Sequence, residues 1–164
     1  MRTTPHVYYN LFVAPNLYDY LEAPSINRAY NASATASYLA DVMYAFYGRN
    51  DPSKISQWGS KRAFLDDLRR REKSFVIIRS IATVYRHLYT EDTQYEVPSP
   101  GPERIVVPAL NAEIEGRDGG QRYDIIFRRR SDGTEVSLTE ALNAVINKMW
   151  PAVLPREDDN GATW

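Results

Sequence analysis

Three side chains close together in the chain are equipped for acid-base and phosphate chemistry: Arg79, Arg86 and His87. Histidine exchanges a proton near neutral pH, and arginine stabilises negative charge developing on a phosphate oxygen. All three lie in residues 75–90, which read as a helix that is apolar around most of its circumference. At about 100° per residue, Arg79, Ser80, Thr83, Arg86, His87 and Thr90 share a wedge about 120° wide, interrupted only by Val76. A helix this apolar on its other faces belongs at the centre of a bundle, where a buried charge must be paired. The wedge arginines therefore require a partner, a path to water or a ligand. Geometry limits what they do alone: Arg79 and His87 stand about 12 Å apart along the axis and about 80° apart around it. Arg86 points about 100° away from His87, so one helix does not aim both groups at a single phosphate unless a second protomer supplies the missing one.

A second polar stripe is expected on residues 25–47. This segment has Ser25 as an N-cap, no glycine or proline inside, and Gly48 just after its end. Along it Arg28, Asn31, Thr35 and Tyr38 fall within about 80°, with Asp41 about 60° further round. If this helix packs antiparallel on the wedge helix, Asp41 neutralises Arg79 or Arg86. Asn31, Thr35, Tyr38 and Thr83 then satisfy the remaining donors. That network needs no ligand, since buried polar seams also specify helix register. Ala29, Ala32, Ala34, Ala36 and Ala40 keep the middle of the helix thin enough for a neighbour to approach closely.

The remaining elements complete a mainly α (α+β) plan. Residues 7–13 are expected to be extended, and residues 16–22 to form one or two helical turns capped by Asn16. Asn50-Asp51-Pro52-Ser53 makes a turn, and residues 60–71 form a second helix with Ala63, Phe64 and Leu68 as its apolar stripe. Pro98, Pro100, Gly101 and Pro102 end the helical half. Ile105-Val106-Val107 and the run from Tyr123 to Phe127 then read as paired strands separated by glycines, with a second turn at Asp132-Gly133. Ser137-Leu138-Thr139-Glu140 has capping-box spacing and opens a last helix that stops before Pro151. The expected architecture is a three-helix core, a small β-hairpin or sheet, and a C-terminal helix packing back. Residues 1–155 then form one domain, with a β insertion at about 103–136 and a frayed tail at 156–164.

Composition narrows the function classes. With 20 basic and 21 acidic residues the chain has no global field to attract nucleic acid or an anionic membrane, so anion binding must come from a local patch. Absence of cysteine excludes disulfides, thiol nucleophiles and cysteine-ligated metals, and two histidines argue against a multi-histidine site. No cofactor or metal is expected. No stretch approaches the roughly 18 apolar residues of a membrane span, and a cytoplasmic location is the expectation. The runs Arg69-Arg70-Arg71 and Arg128-Arg129-Arg130 offer cations for phosphate tracking. Asp66, Asp67 and Glu72 flank the first run, however, and a strand alternates the second between two faces. Solvated charge is the simpler account of both.

Arg28, Asn31-Ala32 and Leu39-Ala40-Asp41, then Phe75, Ile78-Arg79, Ala82 and Arg86-His87, then the strands and the stretch from Val136 to Trp150, resemble a set of uncharacterised bacterial and phage helical proteins. These are distantly similar to the HEPN (higher eukaryotes and prokaryotes nucleotide-binding) superfamily. The resemblance covers most of the chain from Tyr18 to Trp150. In that set the third-helix motif reads Arg-Asp-x-Ala-Asn-x-x-Lys-His. Here Arg79, Ala82 and His87 match, Arg86 replaces lysine, and Ser80 and Thr83 stand where Asp and Asn are expected. Tyr38 occupies a position that often holds histidine. The resemblance implies a HEPN-like helical bundle, usually a homodimer. Two functions follow from it. One is a non-catalytic module binding a nucleotide, RNA or a protein partner. The alternative is a metal-independent endoribonuclease in toxin-antitoxin or anti-phage defence, with His87 as general acid-base and Arg79 or Arg86 as phosphate clamp. RNA would supply its own 2′-hydroxyl nucleophile.

Overall fold

Four hydroxyl side chains set where the helices begin. In the computed structural model, which describes residues 3–87, 95–96, 106–109, 122–129 and 135–156, Thr4, Ser25, Ser60 and Ser137 each accept a hydrogen bond from the backbone N–H three residues on. The partners are Val7, Arg28, Ala63 and Glu140, at 3.1, 3.2, 3.1 and 3.1 Å. Each cap satisfies one of the orphan donors of a first helical turn and contributes about 1 kcal/mol. The helices are α1 (Pro5–Tyr8), α2 (Ala14–Glu22), α3 (Ile26–Asn50), α4 (Lys61–Arg71), α5 (Ser74–His87), α6 (Leu138–Asn143) and α7 (Trp150–Val153). The fold is mainly α, a helical bundle, with α3 against α5 as its principal pairing.

Residues 7–13, expected to be extended, are helical instead. α1 passes through a π-helical segment, Tyr9–Val13, directly into α2, with αR backbone angles at both junctions. The same device recurs at the other end, where the π-helical Ala144–Met149 links α6 to α7. Both π segments run up to a proline two residues on, Pro15 or Pro151. A proline has no N–H for the ladder and its ring crowds the carbonyl four residues back, so a widened turn ahead of it relieves both problems. Pro151 therefore does not end the last helix as its type suggested. Asn16 is not a cap either: its Nδ2 donates to Phe12 O at 2.7 Å from inside the helix.

α3 also outruns its expected end, continuing through Gly48 to Asn50. A Cβ at Gly48 would make only an ordinary contact with Ile55 Cδ1, at 3.4 Å, and the helix runs through this glycine rather than stopping at it. Two 3₁₀ turns, Pro52–Lys54 and Ser56–Trp58, carry the chain to α4, and Gly59 takes the left-handed conformation with φ of 65°. The expected stripe of α4 is buried at Phe64 and Leu68, and Ala63 is half-buried.

The core is shared by the N-terminal helices, α3, α4, α5 and the C-terminal helices. Trp150 is its largest fully buried side chain. Its ring meets Phe75 edge-on at 6.0 Å, and its Nε1 donates to Ala36 O at 3.0 Å. The alanines of α3 permit this, because a larger residue at Ala36 would hold the indole away from the carbonyl. Four short strands, β1 (Tyr95–Glu96), β2 (Val106–Ala109), β3 (Arg122–Arg129) and β4 (Glu135–Ser137), form an antiparallel sheet. β3 is the shared strand: Val106 lies opposite Ile125, Tyr95 opposite Arg129, and Val136 opposite Phe127. β1 lies ahead of the expected start of the β insertion. The Asp132-Gly133 turn, the glycines between the strands and residues 157–164 lie outside the described residues.

Candidate functional site

Arg79 is carried on the α3-facing helix of the bundle, about one and a half turns into α5, and is half-buried there. Tyr38 and Asp41 from α3 act on it electrostatically, as does Arg69 from α4. Burial destabilises the charged guanidinium and lowers its pKa; Asp41 opposes that shift, Arg69 adds to it, and Tyr38 opposes it more weakly. Tyr8 of α1 belongs to the same neighbourhood. Burial raises its phenol pKa, and Tyr38 and Asp41 raise it further. Tyr38 and Asp41 from α3 and Arg69 from α4 thus act on one guanidinium, and Tyr8 of α1 adjoins the same Tyr38 and Asp41.

The pairing within this cluster is uneven. Asp41 Oδ1 lies 2.6 Å from Lys61 Nζ, at the first residue of α4, and Arg69 Nη1 lies 2.8 Å from Asp66 Oδ1 on its own helix. Both ion pairs are partly exposed, so each contributes about 0–1 kcal/mol. Arg79 Nη1 and Asp41 Oδ1 are both shielded from solvent without a hydrogen-bond partner among the described residues, and of the two it is Asp41 that has a close ion pair, with Lys61. Asp41 therefore lends Arg79 its field while its short ion pair is with Lys61. A buried charged donor without an acceptor is costly, by more than the roughly 1–3 kcal/mol of a neutral one.

The remaining polar residues of the two stripes are placed differently from the expected seam. Thr83 Oγ1 donates to Arg79 O at 2.8 Å, and Thr35 Oγ1 to Asn31 O at 2.8 Å, so both hydroxyls donate back into their own helices. Asn31 and Tyr38 are half-buried on α3. Arg28 turns away altogether: its Nη1 donates to Asp19 O and Ala23 O, at 3.0 and 3.1 Å, at the C-terminus of α2. A cation there satisfies terminal carbonyls and complements the negative end of the helix. Arg86 and His87 form the last two positions of α5, and their side chains lie outside the described residues.

Of the arginine runs, the first is neutralised within α4. Arg70 Nη2 reaches Asp67 Oδ1 at 3.4 Å and Arg71 Nε reaches Asp67 Oδ2 at 2.7 Å, in addition to the Arg69 pair with Asp66. Arg128 and Arg129 are in β3. Tyr8, Lys61 and Arg69 are the members of the site that spacing did not reveal. Tyr8 was hidden by the expectation of an extended segment, and the other two come from a helix whose rotation about α5 has no signature in sequence. Among the described residues, no three His, Cys, Asp or Glu side chains gather as a metal site, and no helix is long and apolar enough to cross a membrane.

No family model, curated protein or solved structure matches the chain. The cluster around Arg79 has to be interpreted from its own chemistry. It offers one shielded guanidinium N–H group, two flanking cations that are already engaged, and phenols able to donate or accept.

Proposed function

We propose that this chain is a HEPN-like, non-catalytic binding module whose Arg79 cluster receives a phosphate-bearing ligand, a nucleotide or a short stretch of RNA. One observation carries the reading: Arg79 Nη1 is shielded and finds no hydrogen-bond partner among the described residues, and the neighbouring Asp41 Oδ1, in the same condition, meets Lys61 as an ion pair and leaves the guanidinium N–H to an incoming acceptor. A phosphate oxygen is a strong acceptor for such a donor, and charge-assisted hydrogen bonds to it are about twice as strong as neutral ones. Lys61 and Arg69, both partly exposed, would then lie at the rim and orient the anion. With one central contact and few cations around it, binding would depend only shallowly on salt, unlike a long phosphate-tracking groove. The resemblance of the Arg79, Ala82 and His87 positions to the HEPN motif supports the same class of ligand.

Fluorescence anisotropy with a labelled ten-nucleotide single-stranded RNA, competed by inorganic phosphate, tests this. Wild-type protein is expected to bind. Arg79→Ala should weaken binding at least tenfold, and Arg79→Lys should restore part of it, because lysine keeps the charge without the guanidinium fork. Equal binding by wild type and Arg79→Ala, or no binding by either, overturns the reading. The same RNA incubated with protein in chelator, beside His87→Ala, separates binding from catalysis. Cleavage that disappears in His87→Ala would move the chain into the ribonuclease class.

A further inference from the structure

The charges around Arg79 cancel in pairs. Among the described residues, Asp41 of α3 and Arg69 of α4 are the charged groups that act on its guanidinium. Asp41 Oδ1 meets Lys61 Nζ at 2.6 Å, and Arg69 Nη1 meets Asp66 Oδ1 at 2.8 Å. Each pair is neutral as a unit, so Arg79 is left as a single uncompensated positive charge. Tyrosine is uncharged at neutral pH, and the nearby phenols of Tyr8 and Tyr38 add hydrogen-bonding groups without altering that balance. Asp41 is the unusual member. Its Oδ1 is shielded from solvent, as is Arg79 Nη1, whereas the Lys61 side chain is 52% exposed. Water and salt screen an exposed charge far more than a shielded one. An anion that reaches the guanidinium therefore feels the carboxylate more strongly than the ammonium that pairs with it.

Resting on the phosphate reading above, we propose that Asp41 sets the charge of the ligand, so that the Arg79 site accepts a singly charged phosphodiester and discriminates against a doubly charged phosphate monoester. A diester linkage carries one negative charge, which the one uncompensated guanidinium matches. A terminal monoester carries about 1.5 to 2 at pH 7, because its second pKa is near 6. Its extra charge has no further cation to meet, since Lys61 is held by Asp41 and Arg69 by Asp66. To recruit Lys61 it would have to break that ion pair and face the bared carboxylate. Like charges brought together away from bulk water repel strongly. Selectivity here comes from a repulsive group rather than from an added contact. The preferred occupant is an internal linkage of an oligonucleotide chain, not the end of a free mononucleotide.

Uridine 5′-monophosphate and its phosphate methyl ester isolate the charge, because base and sugar are identical and the ester lacks only the second negative charge. Each is titrated at pH 8 as a competitor of the labelled ten-nucleotide RNA. Wild-type protein should release the RNA at least fivefold more readily to the methyl ester. Asp41→Asn should lose that preference by gaining affinity for the monoester. Lys61→Gln should widen it, since the carboxylate is then unopposed. The two variants push in opposite directions, which a general loss of packing does not reproduce. If Asp41→Asn fails to fold, the partly exposed Lys61 position decides alone, and an unchanged or narrowed preference in Lys61→Gln overturns the proposal. A wild type displaced as readily by the monoester, a preference kept intact in Asp41→Asn, or displacement by neither compound overturns it as well. In each of these cases RNA binding that depends on Arg79 leaves the phosphate reading standing. RNA binding indifferent to Arg79→Ala removes that reading whatever the competitors do.

Discussion

At the residue scale, the chain shows how a nearby partner differs from a satisfied one. The sequence points to Asp41 as the group that neutralises Arg79 or Arg86 if the two helices pack antiparallel. Asp41 does act on Arg79 electrostatically, but its close contact is Lys61, from a helix that spacing alone could not rotate into place. Asp67 is the opposite case, a carboxylate held by several groups at once. The Trp58 indole N–H at 3.0 Å and then Arg71 at 2.7 Å hold its pKa below the ordinary value. A carboxylate whose pKa is depressed on folding contributes stability that is present above its unfolded pKa of about 4 and is lost as pH falls through the folded value. Tm should therefore decline below about pH 4 more steeply in wild type than in Asp67→Asn. Parallel acid-side melting curves for the two proteins would show that Asp67 is not linked to folding.

At the scale of elements, the two proline-linked π segments explain why the ends of this chain were the hardest part to foresee. Helical periodicity counts 3.6 residues per turn, and a π turn inserts an extra residue that throws the stripe out of phase. Residues 7–13 therefore read as extended, whereas the last helix reads as stopping before Pro151 because a proline lacks the N–H that continues the ladder. The two segments also meet: Tyr9 Oη donates to Ile146 O at 3.0 Å, and burial raises the Tyr9 phenol pKa. A π turn disturbs the regular carbonyl ladder, and this hydroxyl supplies a donor to it. Tyr9→Phe should cost about 1 kcal/mol in chemical denaturation, the value of one hydrogen bond. It should also speed amide exchange in residues 144–150 while leaving α4 unchanged. Uniform acceleration across all helices would point to global destabilisation instead of a local tie. The caps at Ser25 and Ser137, in contrast, are readable, because a hydroxyl at an N-cap acts within three residues and needs no tertiary partner.

For the whole molecule, one core joins segments far apart in sequence. Leu39 of α3 and Leu142 of α6 are fully buried in the same cluster, on either side of the stretch that carries the strands. Replacing either by alanine should cost about 2–5 kcal/mol. Each variant should shift a single transition, with circular dichroism and tryptophan fluorescence moving together. Two separated transitions in Leu142→Ala would mean that the C-terminal helices fold on their own core. The bonds Trp150 to Ala36 and His6 to Pro155 make the shared core the expected outcome, since they pin the end of the chain to its middle and its beginning.

The sequence by itself determined what local rules can carry. The long α3 with its thin alanine middle, the stripes of α4 and α6, the position of α5 and the presence of a mainly α bundle all follow from periodicity and capping, which operate within a few residues. Only the tertiary structure decided who meets whom. It turned Arg28 away to cap α2, closed Thr35 and Thr83 onto their own helices, brought Arg69 under the influence of Arg79, and set Lys61 and Tyr8 beside Asp41. The physical reason is rotational. A few tens of degrees about a helix axis cost little in propensity and leave every local pattern intact, yet they decide whether a charged side chain finds an acceptor, a ligand or nothing.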